Sequence, residues 1–165
     1  MYVDYEYYKS LYGERTIPKA DFNRLSWDAD RALDTATSGV DNVKKLQVAF
    51  PTNEYDSEAV KRCVCALIDL LDQIEQAERN ASKAQGYTER ADGTLQGKVI
   101  SSMSAGNESI SFSTPSSQTL ISTAVKSEKD KQLVVYDFIK SRLSGICDAN
   151  GVNLLYAGTY PYRGV

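Results

Sequence analysis

The chain has 165 residues, a formal net charge of −3 and a sequence pI near 5.1. That length suits one domain able to bury about 70% of its unfolded surface, and the charge balance offers no basic footprint for nucleic acid. There is no histidine, which removes the commonest general base, metal ligand and physiological pH switch, and no run of about 18 apolar residues suited to a membrane span.

Eight of the eleven tyrosines sit at the two ends: Tyr2, Tyr5, Tyr7, Tyr8 and Tyr12, then Tyr156, Tyr160 and Tyr162. Chain ends are usually poorly ordered, and tyrosine is a large, amphipathic, low-entropy side chain suited to interfaces. Both termini are therefore expected to dock, on the chain's own core or on a neighbour. The opening MYVDYEYYKSLYG has neither a charged n-region nor an apolar h-region, so it does not read as a signal peptide.

Four helices are predicted. The first runs from about Asp4, a suitable N-cap, to Tyr12 before Gly13. The second opens at Pro18 and runs to about Thr37, with Phe22, Leu25, Ala29, Leu33 and Ala36 on one buried face. Trp27 lies off that stripe and is expected to meet a second element or a partner. The third and strongest helix is capped by Asp56 or Ser57 and reaches about residue 85. Val60, Val64, Leu67, Leu71 and Ile74 make its stripe, widened by Cys63, Ile68, Leu70 and Ala77. Glu58–Arg62 and Glu75–Arg79 are helical pairs in the favourable order.

Cys63 and Cys65 point about 200° apart on that helix and cannot chelate one ion together. With Cys147 they make an odd count, which argues for free thiols, the helical pair acting as small buried apolar residues. Residues 86–126 change character: 18 of these 41 are Gly, Ser or Thr and six are charged. Glu108–Ser113 alternates polar and apolar residues, the strand period. The segment reads as a flexible linker or as an arm, able to form a short β-hairpin, that becomes ordered against a neighbour. The fourth helix starts at Ser127, with Asp130 completing a capping arrangement, and stops at Ser144-Gly145. The expected fold is all-α: a small bundle of about four helices (about 4–85 and 127–145), a Ser/Gly-rich arm (86–126) and an extended C-terminal tail (146–165), together one domain.

A search for catalytic patterns finds no phosphate loop, dinucleotide fingerprint, nucleophile elbow or zinc spacing. Asp28 and Asp30 point to different sides of a helix. Asp69 and Asp72 fall on what reads as the solvated face of the central helix, and the lysines are interleaved with acids. No catalytic, cofactor or metal residue is expected, and a non-enzymatic role fits best.

Taken together, several segments resemble the head–tail connector (head-completion or adaptor) proteins of long-tailed bacteriophages and prophages. They are MYVDYEYYKSLYG with Ile17-Pro18; Phe22, Leu25, Ala29 and Leu33-Asp34 with Thr37; Glu54-Tyr55 leading into Ala59–Asp69; Asn107–Ser113; and Gly151 through Leu154-Leu155-Tyr156 to Tyr162–Val165. Residues Ala157 to Tyr162 interrupt the closing motif of that family, and Gln76–Gly106 has no counterpart. The resemblance implies a structural neck subunit in a ring, expected to be twelvefold, beneath the portal protein at the head–tail junction of the virion. It would assemble in the bacterial host cytoplasm. Such a ring extends the DNA channel, passes DNA without sequence-specific binding, and meets the next neck or stopper protein, with no cofactor and no membrane. The candidate interface residues are Trp27, Ile110, Phe112, Leu154, Leu155, Tyr156, Tyr160, Tyr162 and Arg163. On this reading the N-terminal tyrosines close the bundle, and deleting Leu154–Val165 should leave the fold intact. The alternative is a non-catalytic bacterial helical adaptor or regulator that binds a protein partner through its tail.

Overall fold

A computed structural model describes residues 1–13, 17–84, 87–89, 95–97 and 120–161. Among them are six helices: α1 (Tyr5–Tyr12), α2 (Lys19–Thr37), α3 (Lys45–Val48), α4 (Glu54–Ala84), α5 (Leu120–Ala124) and α6 (Glu128–Leu143). Strands β1 (Tyr87–Glu89) and β2 (Leu95–Gly97) form an antiparallel pair with Thr88 opposite Gln96. The fold is all-α apart from that ribbon. None of the described helices is long and apolar enough to cross a membrane.

Local chemistry accounts for the boundaries. The Asp4 carboxylate accepts the Tyr7 N–H at 2.8 Å, and Gly13, at φ 59°, closes α1 in the left-handed region open to glycine. Pro18 sits just outside α2 rather than inside it, its carbonyl accepting the Phe22 N–H at 2.9 Å. The α4 helix begins at Glu54, before the expected Asp56 or Ser57, because the Asn53 side chain takes the Tyr55 N–H at 2.9 Å. Ser127 and Asp130 form the anticipated cap of α6: the Asp130 N–H donates to Ser127 Oγ at 3.1 Å, and that hydroxyl donates back to Asp130 Oδ2 at 2.7 Å.

Helix α4 is the axis of the domain, packed by α2, α5 and α6. Val60, Cys63, Val64, Cys65, Leu67, Ile68, Leu70 and Ile74 are buried along it, so both cysteines are core residues. Phe22, Leu25, Ala29 and Leu33 come from α2, and Val134, Ile139 and Leu143 from α6. Past the core α4 turns polar and is tied by ion pairs: Arg24 to Glu75 through two bonds of 2.5 and 2.8 Å, and Lys131 to Glu78 at 3.1 Å. The Glu58–Arg62 and Glu75–Arg79 pairs form as the spacing predicted.

Two boundaries depart from expectation. Helix α5 falls inside the stretch read as an arm, yet Ala124 is buried and the helix packs on α4 and α6, so the end of that stretch belongs to the core. Helix α3 was not anticipated. It is a single turn whose first residue is a buried lysine, and no apolar period announces it. The alternating segment Glu108–Ser113, with Ile110 and Phe112, lies outside the described residues, as do Tyr162 and Arg163.

Candidate functional site

The N-terminal tyrosines close the chain's own bundle. Tyr8 has no exposed surface and packs against Phe22, Tyr5 and Tyr12, with ring centroids 5.3, 6.4 and 4.9 Å away. Its hydroxyl donates to Asp69 Oδ1, so Asp69 is half-buried under α1 and not on a solvated face, correcting the sequence reading. Burial raises the Asp69 carboxyl pKa, against the lowering effect of the Tyr8 and Tyr12 hydroxyls. Tyr2 stacks on Phe50 and donates to Asp34 Oδ1 at 2.5 Å. The buried Asp34 also accepts from Gln47 Nε2 at 2.5 Å, and Lys44 Nζ lies 4.0 Å away.

Burial is the largest effect on these phenols and neighbouring carboxylates add to it, and both favour the protonated form. Tyr2 and Tyr8 are pushed well above the ordinary tyrosine range, and Tyr7 and Tyr12 to about 12. Burial also raises Cys63 and Cys65 to about 12. The folded state therefore keeps protons that the unfolded chain loses from about pH 8.5 for cysteine and about pH 10 for tyrosine. This stabilisation is present below those values and is lost as pH rises through the folded ones. Lys45 opposes it, because burial lowers its pKa. The urea midpoint should accordingly fall steadily from about pH 8 to about pH 11, with the tyrosinate absorption of the buried phenols appearing only on unfolding. A midpoint independent of pH over that interval would contradict the burial of these groups.

The second docking site holds the tail. After α6 the chain reverses around Asp148, whose Oδ1 accepts the Asn150 and Val152 N–H groups at 2.9 and 2.8 Å. Gly151, at φ 76°, makes the turn, and the Leu154 N–H returns to the Ile146 carbonyl at 2.9 Å. Lys45 is fully buried and reaches the tail with its ammonium, donating to the Leu154 carbonyl at 2.9 Å and to the Tyr156 carbonyl. Beyond it the Ala157 carbonyl accepts the Val40 N–H at 3.0 Å, and Asp41 Oδ2 accepts the Tyr160 N–H at 2.7 Å. The Tyr160 hydroxyl donates to Asp148 Oδ2 at 2.6 Å. Gly39 lies so close that a Cβ there would run into the Gly158 carbonyl oxygen. The tail is thus held along most of its described length by the α2–α3 connection.

This placement sorts the candidate interface residues. Leu154 and Tyr160 are 0% and 2% exposed, so they belong to the chain's own core and are not free to meet a neighbour. Leu155 is half-buried against the core. Tyr156 faces outward, with its ring 5.9 Å from the Lys45 ammonium. Trp27 is 61% exposed on α2, under the Arg31 guanidinium at 5.5 Å.

Sequence reasoning missed the outer face of α6. Leu133 and Tyr136 are 51% and 44% exposed there, beside a groove of about 780 Å³ between α2 and α6. The signal was available: α6 is apolar on both sides, and one flank of the bundle can bury only one of them. The chain matches no protein-family model, and neither the curated proteins nor the solved structures compared with it give a match.

Proposed function

We propose that this chain is a structural subunit of a phage neck, forming a ring beneath the portal that joins the DNA-filled head to the tail. The sequence resemblance to head–tail connectors suggests it. The observation that supports it best is a bundle with a closed core that still presents large apolar side chains on separate elements. These are Trp27 on α2, Leu133 and Tyr136 on α6, and Tyr55, 75% exposed, at the start of α4. A cyclic ring needs two unlike surfaces on each subunit, and these residues supply more than one. The mild acidity suits a conduit, since a wall rich in Lys and Arg would hold DNA by counterion release. An adaptor working through its tail is the weaker reading, because most of the described tail is engaged internally.

Native mass spectrometry and electron microscopy of the purified chain, alone and with a portal protein from the same genome, test this reading. A closed ring, expected to be twelvefold, should form at least on the portal. A chain that stays monomeric at high concentration in both conditions would count decisively against it.

A further inference from the structure

We propose that the outer stripe of α6 is one half of a contact between copies of this chain, and that the turn opening α4 is the other half. The proposal rests on the ring reading above and names its lateral surfaces. Lys129, Leu133, Tyr136 and Lys140 recur at helical spacing and fall on one line along α6, all exposed. Val134, Ile139 and Leu143 face inward and are buried. A helix with large apolar residues on two sides is normally covered on both, and within the described chain the Leu133–Tyr136 side is not.

The charges around the stripe specify what should cover it. Lys129 and Lys140 bracket the two apolar residues, with the Lys140 ammonium 5.3 Å from the centre of the Tyr136 ring. Asp137 and Glu128 lie off the stripe, about 70° and 110° round the helix. The fitting occupant is an apolar knob flanked by acids, and the chain carries one itself. Tyr55 stands exposed in the first turn of α4 with Glu54 and Asp56 each about 100° round the helix from it, and neither acid forms an ion pair among the described residues. A protruding tyrosine entering a groove is also the kind of side chain that dominates binding energy.

The two surfaces are well separated. Lys131 pairs with Glu78, which places the start of α6 beside the far half of α4. Tyr55 opens α4 about 35 Å earlier along the helix, at 1.5 Å per residue. One subunit can therefore give its Tyr55 turn to one neighbour and its α6 stripe to another, the head-to-tail arrangement that closes a ring.

Site-directed crosslinking tests the pairing. Full-length Tyr55→Cys and Leu133→Cys proteins, each carrying Cys147→Ser, are mixed and oxidised at high concentration, alone and on the portal. The 55–133 product should dominate over 55–55 and 133–133. Lys129→Glu with Lys140→Glu should weaken association several-fold, and Glu54→Lys with Asp56→Lys on the mixing partner should restore it. Circular dichroism checks that each variant is folded. Rings that form without a 55–133 crosslink would overturn this contact and leave the ring reading standing. A dominant 133–133 product would make the face self-complementary and overturn the head-to-tail pairing. If Leu133→Asp self-associates normally but no longer binds the portal, the stripe faces a different protein and the proposal fails. A chain that never associates removes the contact and the ring together.

Discussion

Deleting residues 154–165 should unfold the domain or lower its melting temperature by about 10–20 °C, the equivalent of about 5 kcal/mol or more at this chain length. The sequence reading expected the opposite, a tail dispensable for folding. The reversal follows from three contacts. Leu154 is fully buried in the main core, and losing such a leucine costs about 2–5 kcal/mol. The Lys45 ammonium gives hydrogen bonds to two tail carbonyls. Removing its acceptors leaves the ammonium without these hydrogen bonds, at a cost of about 1–3 kcal/mol. Tyr160 and Asp148 would also lose each other inside the fold. Two smaller changes divide the effect: Leu154→Ala removes packing alone, and Lys45→Met removes the ammonium while keeping an apolar stem. Each should lower the thermal midpoint by circular dichroism, by less than the deletion does. A truncated chain that melts like the full one would return the tail to a purely external role.

What was legible in the sequence followed periodicity and capping. The α2, α4 and α6 helices were readable because their apolar spacings run for several turns, and Asp4 and Ser127 marked ends with capping side chains, as Gly13 did by having none. The tail was misread because it has no period. Much of its attachment to the rest of the chain consists of backbone carbonyls meeting Lys45 and a backbone N–H meeting Asp41, contacts that do not depend on tail side-chain type. Lys45 itself looked like an ordinary surface lysine beside Lys44. Asp69 was assigned to solvent because the wheel of α4 says nothing about α1 lying across it. Tyr5 and Tyr8 were correctly expected to pack inward, and their i, i+3 spacing places them on one face of a short helix.

Tyr8→Ala should be the most damaging single substitution at the N-terminus, costing about 3–5 kcal/mol, because it empties a site enclosed by Phe22, Tyr5 and Tyr12. Tyr8→Phe separates the ring from its hydroxyl. It keeps the stacking and takes one donor from a half-buried Asp69, for an expected loss of about 1–3 kcal/mol. The sign of its pH dependence follows from Asp69. Burial already raises that carboxyl pKa, while the Tyr8 hydroxyl pulls it down. Without the hydroxyl the folded pKa rises further. A carboxyl whose folded pKa is raised disfavours folding above that pKa and regains the loss as acid protonates it. The Tyr8→Phe deficit should therefore be largest near neutral pH and shrink on acidification. Asp69→Asn removes the charge that needs the hydroxyl, so combining it with Tyr8→Phe should cost less than the two single changes summed. Strict additivity in urea melts would mean that Tyr8 anchors the N-terminus through its ring alone.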